Sequence, residues 1–497
     1  MRYVLGIDLG TSSLKGIVMN QNGQVVAEKS SDYSLSSPQS GFSEQNPADW
    51  IAACDQVLTE LVATFPSLKE NLAGISFSGQ MHSLVVLGEE KQPIYPAILW
   101  NDVRTSKQCQ EIMANFGEEL LQITKNIALE GFTLPKILWL QENEPEGWGK
   151  VRHLMLPKDY LSFYFTDQLV TDYSDAAGTL LLDAEKRQWS REILEQFKID
   201  STILPKLVAA TDQVGVMKSS LTEKFGFTQQ VKIFAGGADN ACGALGAGLI
   251  NEDAALISIG TSGVFSSFEK NIQDYQGKLH FFNHVIPNSY YSMGVTLAAG
   301  NSLSWFKDSF AKEESFSELL KDIGEIPAGS EGLLFAPYIV GERTPHFDSQ
   351  IRGSFIGIDT RHQRDHFARA VLEGITFSLK DSQLLMEETK NKAFKEMISV
   401  GGGAKNPEWL QMQADIFNAK IKSLVVEQGP GAGACMIAAI GCGWGELSEI
   451  VTTFVNYQER VFFPNEEKVA KYAEVYTIWQ KIYQATKDIS SSLLQLS

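Results

Sequence analysis

The feature that most constrains this chain is a turn that occurs twice. Near the N-terminus an apolar run, Tyr3 to Ile7, enters Asp8-Leu9-Gly10-Thr11-Ser12-Ser13, and a second apolar run, Leu14 to Met19, follows. In the second half Ala255 to Ile259 enters Gly260-Thr261-Ser262-Gly263, and Val264 to Phe268 follows. Each reads as two strands joined by a Gly-Thr-Ser turn. The context repeats as well. After the first turn, Asn22-Gly23 makes a hairpin into Gln24 to Glu28. Asn46 and Pro47 then start a helix whose Trp50, Ile51, Cys54, Val57, Leu58 and Leu61 share one face. The strand Leu72 to Phe77 ends in Ser78-Gly79-Gln80-Met81-His82. After the second turn, a helix from Arg369 to Leu384 leads to a strand, Met397 to Val400, and to Gly401-Gly402-Gly403. Two such turns in the same order predict an α/β fold of two duplicated domains, residues 1–245 and 246–497, with a ligand cleft between them.

The chain has 497 residues, enough for two such cores. Its 60 acidic and 42 basic side chains leave a net charge of −18, which argues against a general binder of nucleic acid or anionic membrane. Five cysteines without a CxxC pair predict neither a disulfide framework nor a structural zinc site. Asp8 stands where a signal peptide needs its apolar core, and Pro430 and six glycines break the longest uncharged stretch, Gln428 to Gly445. A soluble, cytoplasmic protein is expected.

The turns also point to chemistry. Gly-Thr-Ser between strands offers backbone N–H groups and hydroxyls without bulk, a phosphate cradle unlike the loop-to-helix Walker type, whose GxxxxGK[ST] pattern is absent. Asp8 before the first turn suits Mg²⁺, a hard cation that takes oxygen ligands. Two such hairpins facing each other would grip one polyphosphate. The third turn, Gly401 to Asn406, leaves room for a base and ribose, so the set points to ATP. Val231 to Ala235 reads as a strand, Gly236-Gly237-Ala238 as a close turn and Asp239-Asn240 as the start of a small-residue helix, Ala241 to Gly248. Asp239 thus lies at a strand's carboxyl end, where α/β proteins place ligand chemistry, although an ordinary helix cap would look the same. A helix N-terminus is expected to lower its pKa and make it a weak base.

Longer segments carry a resemblance. Gly131-Phe132-Thr133-Leu134-Pro135-Lys136-Ile137-Leu138-Trp139-Leu140 forms one signature, and Gly353 to Ile358 with His366 to Glu373 forms another. With these the chain resembles, over nearly its full length, the FGGY family of carbohydrate kinases, within the actin-like ATPase superfamily of ribonuclease H-like domains. Ser78 to His82, Ala97 to Asp102, Leu156 to Tyr160, Asp175 to Thr179, Gly237 to Asn240 and Gly341 to His346 are most similar to the bacterial branch that phosphorylates xylulose. Ser83 and Ala238 depart from it, at places where glycine is usual or common.

The resemblance implies an ATP-dependent, Mg²⁺-requiring kinase that converts D-xylulose to D-xylulose 5-phosphate, and it suggests a homodimer. Asp239 would be the catalytic base and Asp8 the metal ligand. Met81, His82, Trp100, Asp239 and Asn240 would hold the sugar, with His82 binding rather than moving protons. Thr11, Ser12, Ser13, Lys15, Gly260 and Thr261 would contact phosphates. Gly300, Ser304, Gly402, Gly403, Ala404 and Asn406 would hold the nucleoside. Two alternatives remain: a kinase for another ketose, polyol or gluconate, and an actin-like nucleotide switch without sugar kinase activity. The helical tail carries Val475, Ile478, Trp479, Ile482 and Tyr483 on one apolar face, which is expected to pack on the second domain or a partner subunit.

Overall fold

The computed structural model describes residues 1–496. Two mixed sheets follow one plan. In the first, the order is Gln213–Val216, Lys232–Phe234, Leu72–Gly79, Tyr3–Leu9, Ser13–Asn20 and Val25–Asp32. In the second it is Lys420–Ser423, Glu396–Gly401, Ala254–Ile259, Gly263–Glu269, Tyr290–Thr296 and His280–Asn283. Tyr3–Leu9 pairs antiparallel with Ser13–Asn20 and parallel with Leu72–Gly79. Ala254–Ile259 likewise pairs antiparallel with Gly263–Glu269 and parallel with Glu396–Gly401. The registers coincide at the turns: Leu9 faces Leu14 and Gly79, as Ile259 faces Gly263 and Gly401.

Local sequence accounts for the covering helices. Pro47–Thr64 is capped by Asn46, whose side chain accepts from Ala48 N, and it buries Trp50, Cys54, Val57, Leu58 and Leu61 against the first sheet. Each such large side chain taken from water stabilises by roughly 1.5–3 kcal/mol. Arg364–Lys390 lies on the second sheet. The tail forms Glu466–Trp479 and Lys481–Leu494, and its Val475, Trp479 and Ile482 are buried in the core of the second domain. Ile478 is exposed, and Tyr483 is partly buried beside that core.

One element departs from the sequence reading. Pro430–Gly441, inside the stretch read only as interrupted by proline and glycine, is a helix. Pro430 occupies its first turn, where no backbone donor is needed. The helix packs on Asp239–Gly246 and on the strands Tyr3–Leu9 and Leu72–Gly79, so the second half reaches into the first. A Cβ on Gly433 would lie 1.9 Å from the Cys242 carbonyl oxygen, and one on Gly6 would lie 2.2 Å from that of Gly431. Backbone packs on backbone here. No helix among the described residues is long and apolar enough to cross a membrane.

Candidate active site

The parallel strands Tyr3–Leu9 and Leu72–Gly79 end side by side, with the short strand Gly237–Ala238 paired to the latter at Ser78 and Gly79. Asp8, Met81, His82 and Asp239 therefore gather at one sheet edge. Asp239 is the first residue of the helix Asp239–Gly246, with Ala238 as its cap, so it is not an ordinary N-cap. Its Oδ1 accepts from Asn240 N at 2.7 Å and from Asn240 Nδ2 at 2.9 Å, which leaves Oδ2 unengaged.

The expected low pKa of Asp239 is overturned. Burial, and then the negative charge of Asp8, push the carboxyl up to about 7, and the bonds from Asn240 offset only part of this. Two carboxyls sharing a poorly hydrated site cannot both ionise cheaply, and this outweighs the helix terminus. Asp8 itself rises to about 6 through burial, against the pull of Ser78 and Lys15. Its Oδ1 is buried without a partner, as suits an oxygen that takes a hard cation.

A cavity of about 220 Å³ opens over Asp239 and Asn240, lined by Met81, His82 and Trp100 from the first domain. All five residues read as sugar ligands meet there. His82 has φ 68°, a left-handed backbone that its surroundings impose. Its carbonyl accepts from Thr133 Oγ1 at 2.8 Å and Lys136 Nζ at 3.1 Å, so the helix of the first signature fixes it. Its Nδ1 lies 2.7 Å from Gly178 O. A carbonyl only accepts, so Nδ1 carries the proton and Nε2 is an acceptor. Burial holds the imidazole neutral, at about 3. Trp100 Nε1 donates to Thr11 Oγ1 at 2.9 Å, linking this cavity to the first Gly-Thr-Ser turn. Of the two departures, Ser83 is wholly buried, its hydroxyl accepting from Trp100 N at 3.0 Å, and Ala238 N donates to Ser174 Oγ at 2.9 Å. Neither side chain lines the pocket.

Beneath Asp239 lies a buried ionic cluster that the sequence did not reveal as a unit. Lys158 Nζ meets Asp159, Asp172 at 3.0 Å and Asp175 at 3.4 Å. Asp172 accepts from Ser174 Oγ at 2.5 Å, and that hydroxyl holds Ala238 N, so the cluster supports the turn that carries Asp239.

A second cavity, of about 500 Å³, collects Gly260, Thr261, Gly300, Ser304, Gly402 and Asn406. Gly300 N donates to Gly260 O at 2.8 Å and Asn301 N to Thr261 O at 3.0 Å, welding two turns into one wall. Asn406 spends its Oδ1 on Glu408 N and Trp409 N, which leaves its NH₂ for a ligand. Gly403 and Ala404 are not in the lining; Gly403 packs on Ile259, where a Cβ would lie 2.6 Å from Cδ1. Phe316, Leu320 and Trp409 are lining residues that the sequence did not single out. Lys15 is engaged by Gln428 Oε1 at 2.8 Å and Glu28 at 3.2 Å. Ser12 is exposed and Ser13 half-buried beside it. A crevice of about 190 Å³ shares Asp239 and Asn240 with the cavity of about 220 Å³ and continues along Ser258, Val400, Glu427 and Pro430.

Comparison with known proteins finds two family models in succession along the chain. The N-terminal domain of the FGGY family of carbohydrate kinases matches residues 3–246, and its C-terminal domain matches residues 255–442. The sequence is 62% identical over 498 residues to the xylulose kinase of Lactococcus lactis subsp. lactis, covering 100% of this chain and 99% of that one. It is 51% identical over 495 residues to the xylulose kinase of Bacillus subtilis, with 99% of each covered. The crystal structure of ligand-bound xylulose kinase from Lactobacillus acidophilus superposes with a TM-score of 0.92 at 29% identity, over 98% of each chain.

Proposed function

The chain belongs to the FGGY family of carbohydrate kinases, and on that footing we propose that it transfers the γ-phosphoryl group of ATP to the terminal hydroxyl of D-xylulose, giving D-xylulose 5-phosphate and ADP. The family has the two-domain fold of actin-like ATPases, and its members are ATP-dependent carbohydrate kinases. One observation supports the reading most: Asp239 borders both the sugar-sized pocket and the crevice that runs along the second domain. A base so placed can touch the acceptor hydroxyl and the site of transfer together.

The residues divide the work. Oδ1 of Asp239 is held by Asn240, and Oδ2 takes the proton of the attacking hydroxyl. A carboxyl at about 7 suits that task at neutral pH, and a loose transition state needs the proton only late. His82 Nε2 accepts from a second hydroxyl while Met81 and Trp100 supply apolar walls. Gly260, Thr261, Gly300, Ser304, Gly402 and Asn406 hold the nucleotide, and the hairpin Thr11-Ser12-Ser13, with Lys15, receives phosphate from the other side. Mg²⁺ fits Asp8, whose Oδ1 lacks any partner, and there it would neutralise charge on the ATP phosphates.

ADP release, measured with D-xylulose, D-ribulose, xylitol, glycerol and gluconate, tests the reading. D-Xylulose is expected to give the highest kcat/KM. An acceptor better by an order of magnitude would reassign the substrate, and ATP hydrolysis indifferent to every acceptor would refute a kinase.

A further inference from the structure

The wall that the second domain gives to the sugar pocket carries a guanidinium with nothing to hold. Arg343 lines the pocket with His280, Met293 and Val295, together with Met81, His82 and Asp239 of the first domain. Its backbone is firmly anchored. Its N–H donates to Glu342 Oε1 at 2.7 Å. The adjoining Thr344 donates through its N–H to Val295 O and accepts through Oγ1 from Val295 N, each at 3.0 Å. Two carboxylates act on it, Glu130 and then Glu342, but neither forms an ion pair with it. Glu130 accepts from Ser106 Oγ, and Glu342 is spent on Thr296 Oγ1, Ser378 Oγ and Leu297 N as well as Arg343 N. Among the described residues the Arg343 side chain forms no hydrogen bond and no ion pair. Beside it, His280 is buried and its Nε2 has no partner.

A guanidinium is donor-only, and its N–H groups gain nothing from apolar walls such as Met293 and Val295. In the free protein water meets those N–H groups, and a ligand that fills the pocket and displaces the water must supply oxygens in its place. Its place along the pocket follows from its neighbours. Thr344, next to Arg343, is bonded to Val295, two residues from Met293, whose cross-strand partner is His280, and the Phe132 ring lies against both His82 and His280. Arg343 is accordingly among the charges that depress both histidines. The arginine therefore belongs to the end of the pocket marked by the two histidines. With the C5 hydroxyl of a pentulose at Asp239, that end receives C1 and C2. A carbonyl oxygen offers two lone pairs and no proton, the match for a donor-only group.

We propose that Arg343 recognises the keto end of the acceptor, donating to the C2 carbonyl oxygen while His280 meets the C1 hydroxyl, and so selects a 2-ketose over the corresponding alditol; this rests on the reading of the chain as a ketose kinase. The sugar is then gripped from both domains, Asp239 at one end and Arg343 at the other.

Xylitol differs from D-xylulose only at C2, so the pair isolates the contact. The full-length protein, Arg343→Met and Arg343→Lys are compared for kcat and KM with each acceptor, for KM of ATP, and for the rise in Tm that each ligand induces. The wild type is expected to favour D-xylulose at least tenfold in kcat/KM. Arg343→Met should lose about 10- to 100-fold with D-xylulose and little with xylitol, so that the preference collapses. Its KM for ATP should stay within about twofold and its ATP-induced rise in Tm should persist, while the rise induced by D-xylulose disappears. Arg343→Lys, with a point charge in place of a fork, should recover part of the loss. A merely structural arginine would move both acceptors and ATP alike, and that result overturns the proposal. So does a wild type without the preference, or an Arg343→Met protein that keeps it. A wild type idle with D-xylulose but active on an aldonate refutes the ketose reading itself, and the carbonyl contact with it.

Discussion

Replacing Asp239 with asparagine should make the protein a poorer catalyst and a more stable fold. Asparagine keeps an oxygen for the two bonds from Asn240 and loses only the ability to ionise. In the unfolded chain the carboxyl ionises near 3.8, whereas in the fold burial and Asp8 hold its proton to about 7. Between those values the native state binds more protons than the unfolded one, so the wild type loses stability as pH rises, and above about 7 the loss is complete. The interval corresponds to about 4 kcal/mol. For a cooperative unit of roughly 250 residues, 1 kcal/mol shifts Tm by about 2 °C, which sets an upper value of about 8 °C. The carboxyl is only half-buried, so about 3–8 °C is the expected gain at pH 8, shrinking toward zero near pH 4. Differential scanning fluorimetry across that range reads the gain, and ADP release reads the loss, which should be 10²- to 10⁴-fold in kcat. The wild type should show kcat/KM falling below about pH 7, and Asp8→Asn, which removes the like charge, should shift the pH range over which Asp239 costs stability to lower values in the fluorimetric profile. An Asp239→Asn protein with turnover within tenfold of wild type, or one less stable than wild type at pH 8, refutes the reasoning.

Gly300→Ala would place a Cβ 2.3 Å from the Gly260 carbonyl oxygen and prise apart the two turns of the nucleotide cavity. Overpacking of about 1–3 kcal/mol should raise the KM for ATP roughly 5- to 100-fold and leave that for D-xylulose within about twofold; equal effects on both would show that the turns do not form a nucleotide wall. Lys158→Met leaves Asp159, Asp172 and Asp175 buried around a thioether, and thermal unfolding should register about 3–5 kcal/mol of lost stability, with weaker sugar turnover because Ser174 no longer holds Ala238 firmly. An unchanged Tm would show that the lysine is not balancing those charges.

The sequence made some of this legible because it wrote local chemistry in local patterns. The two Gly-Thr-Ser turns, the capped helix after Asn46 and the Asp that follows Gly236-Gly237-Ala238 each stand in one short stretch. What stayed hidden depends on contacts between distant stretches. The helix Pro430–Gly441 has no polar face because strands and a helix of the other half surround it, so no period of 3.6 residues marks it. The upward shift at Asp239 comes first from burial beneath distant stretches and then from Asp8, which lies on another strand. Arg343 and His280 reach the cavity over Asp239 from the second domain. Gly403 and Ala404 follow a glycine turn that does meet the nucleotide cavity, but the turn aims Gly403 at Ile259.

The register shared by the two sheets explains how one duplicated plan yields two unlike pockets. Since Leu9 and Ile259 hold equivalent places, Asp8 corresponds to Ser258, and its cross-strand partner Lys15 corresponds to Val264. The first cradle therefore carries a carboxylate and an ammonium where the second has a hydroxyl and an apolar side chain. A second carboxylate at Ser258 would border the crevice that Asp239 already lines and push that carboxyl higher still, beyond use as a base near neutral pH. The turns beyond the parallel strands diverge in the same sense. Gly79 and Gly401 are equivalent, but the first is followed by Gln80-Met81-His82 and the second by Gly402-Gly403-Ala404. Side chains fill one side to about 220 Å³, the scale of a pentulose, and their absence leaves about 500 Å³ on the other, the scale of a nucleoside. Charge and bulk thus both fall to the first copy of the strand–turn–strand unit, and the second copy keeps the small, uncharged residues that leave its cavity wide.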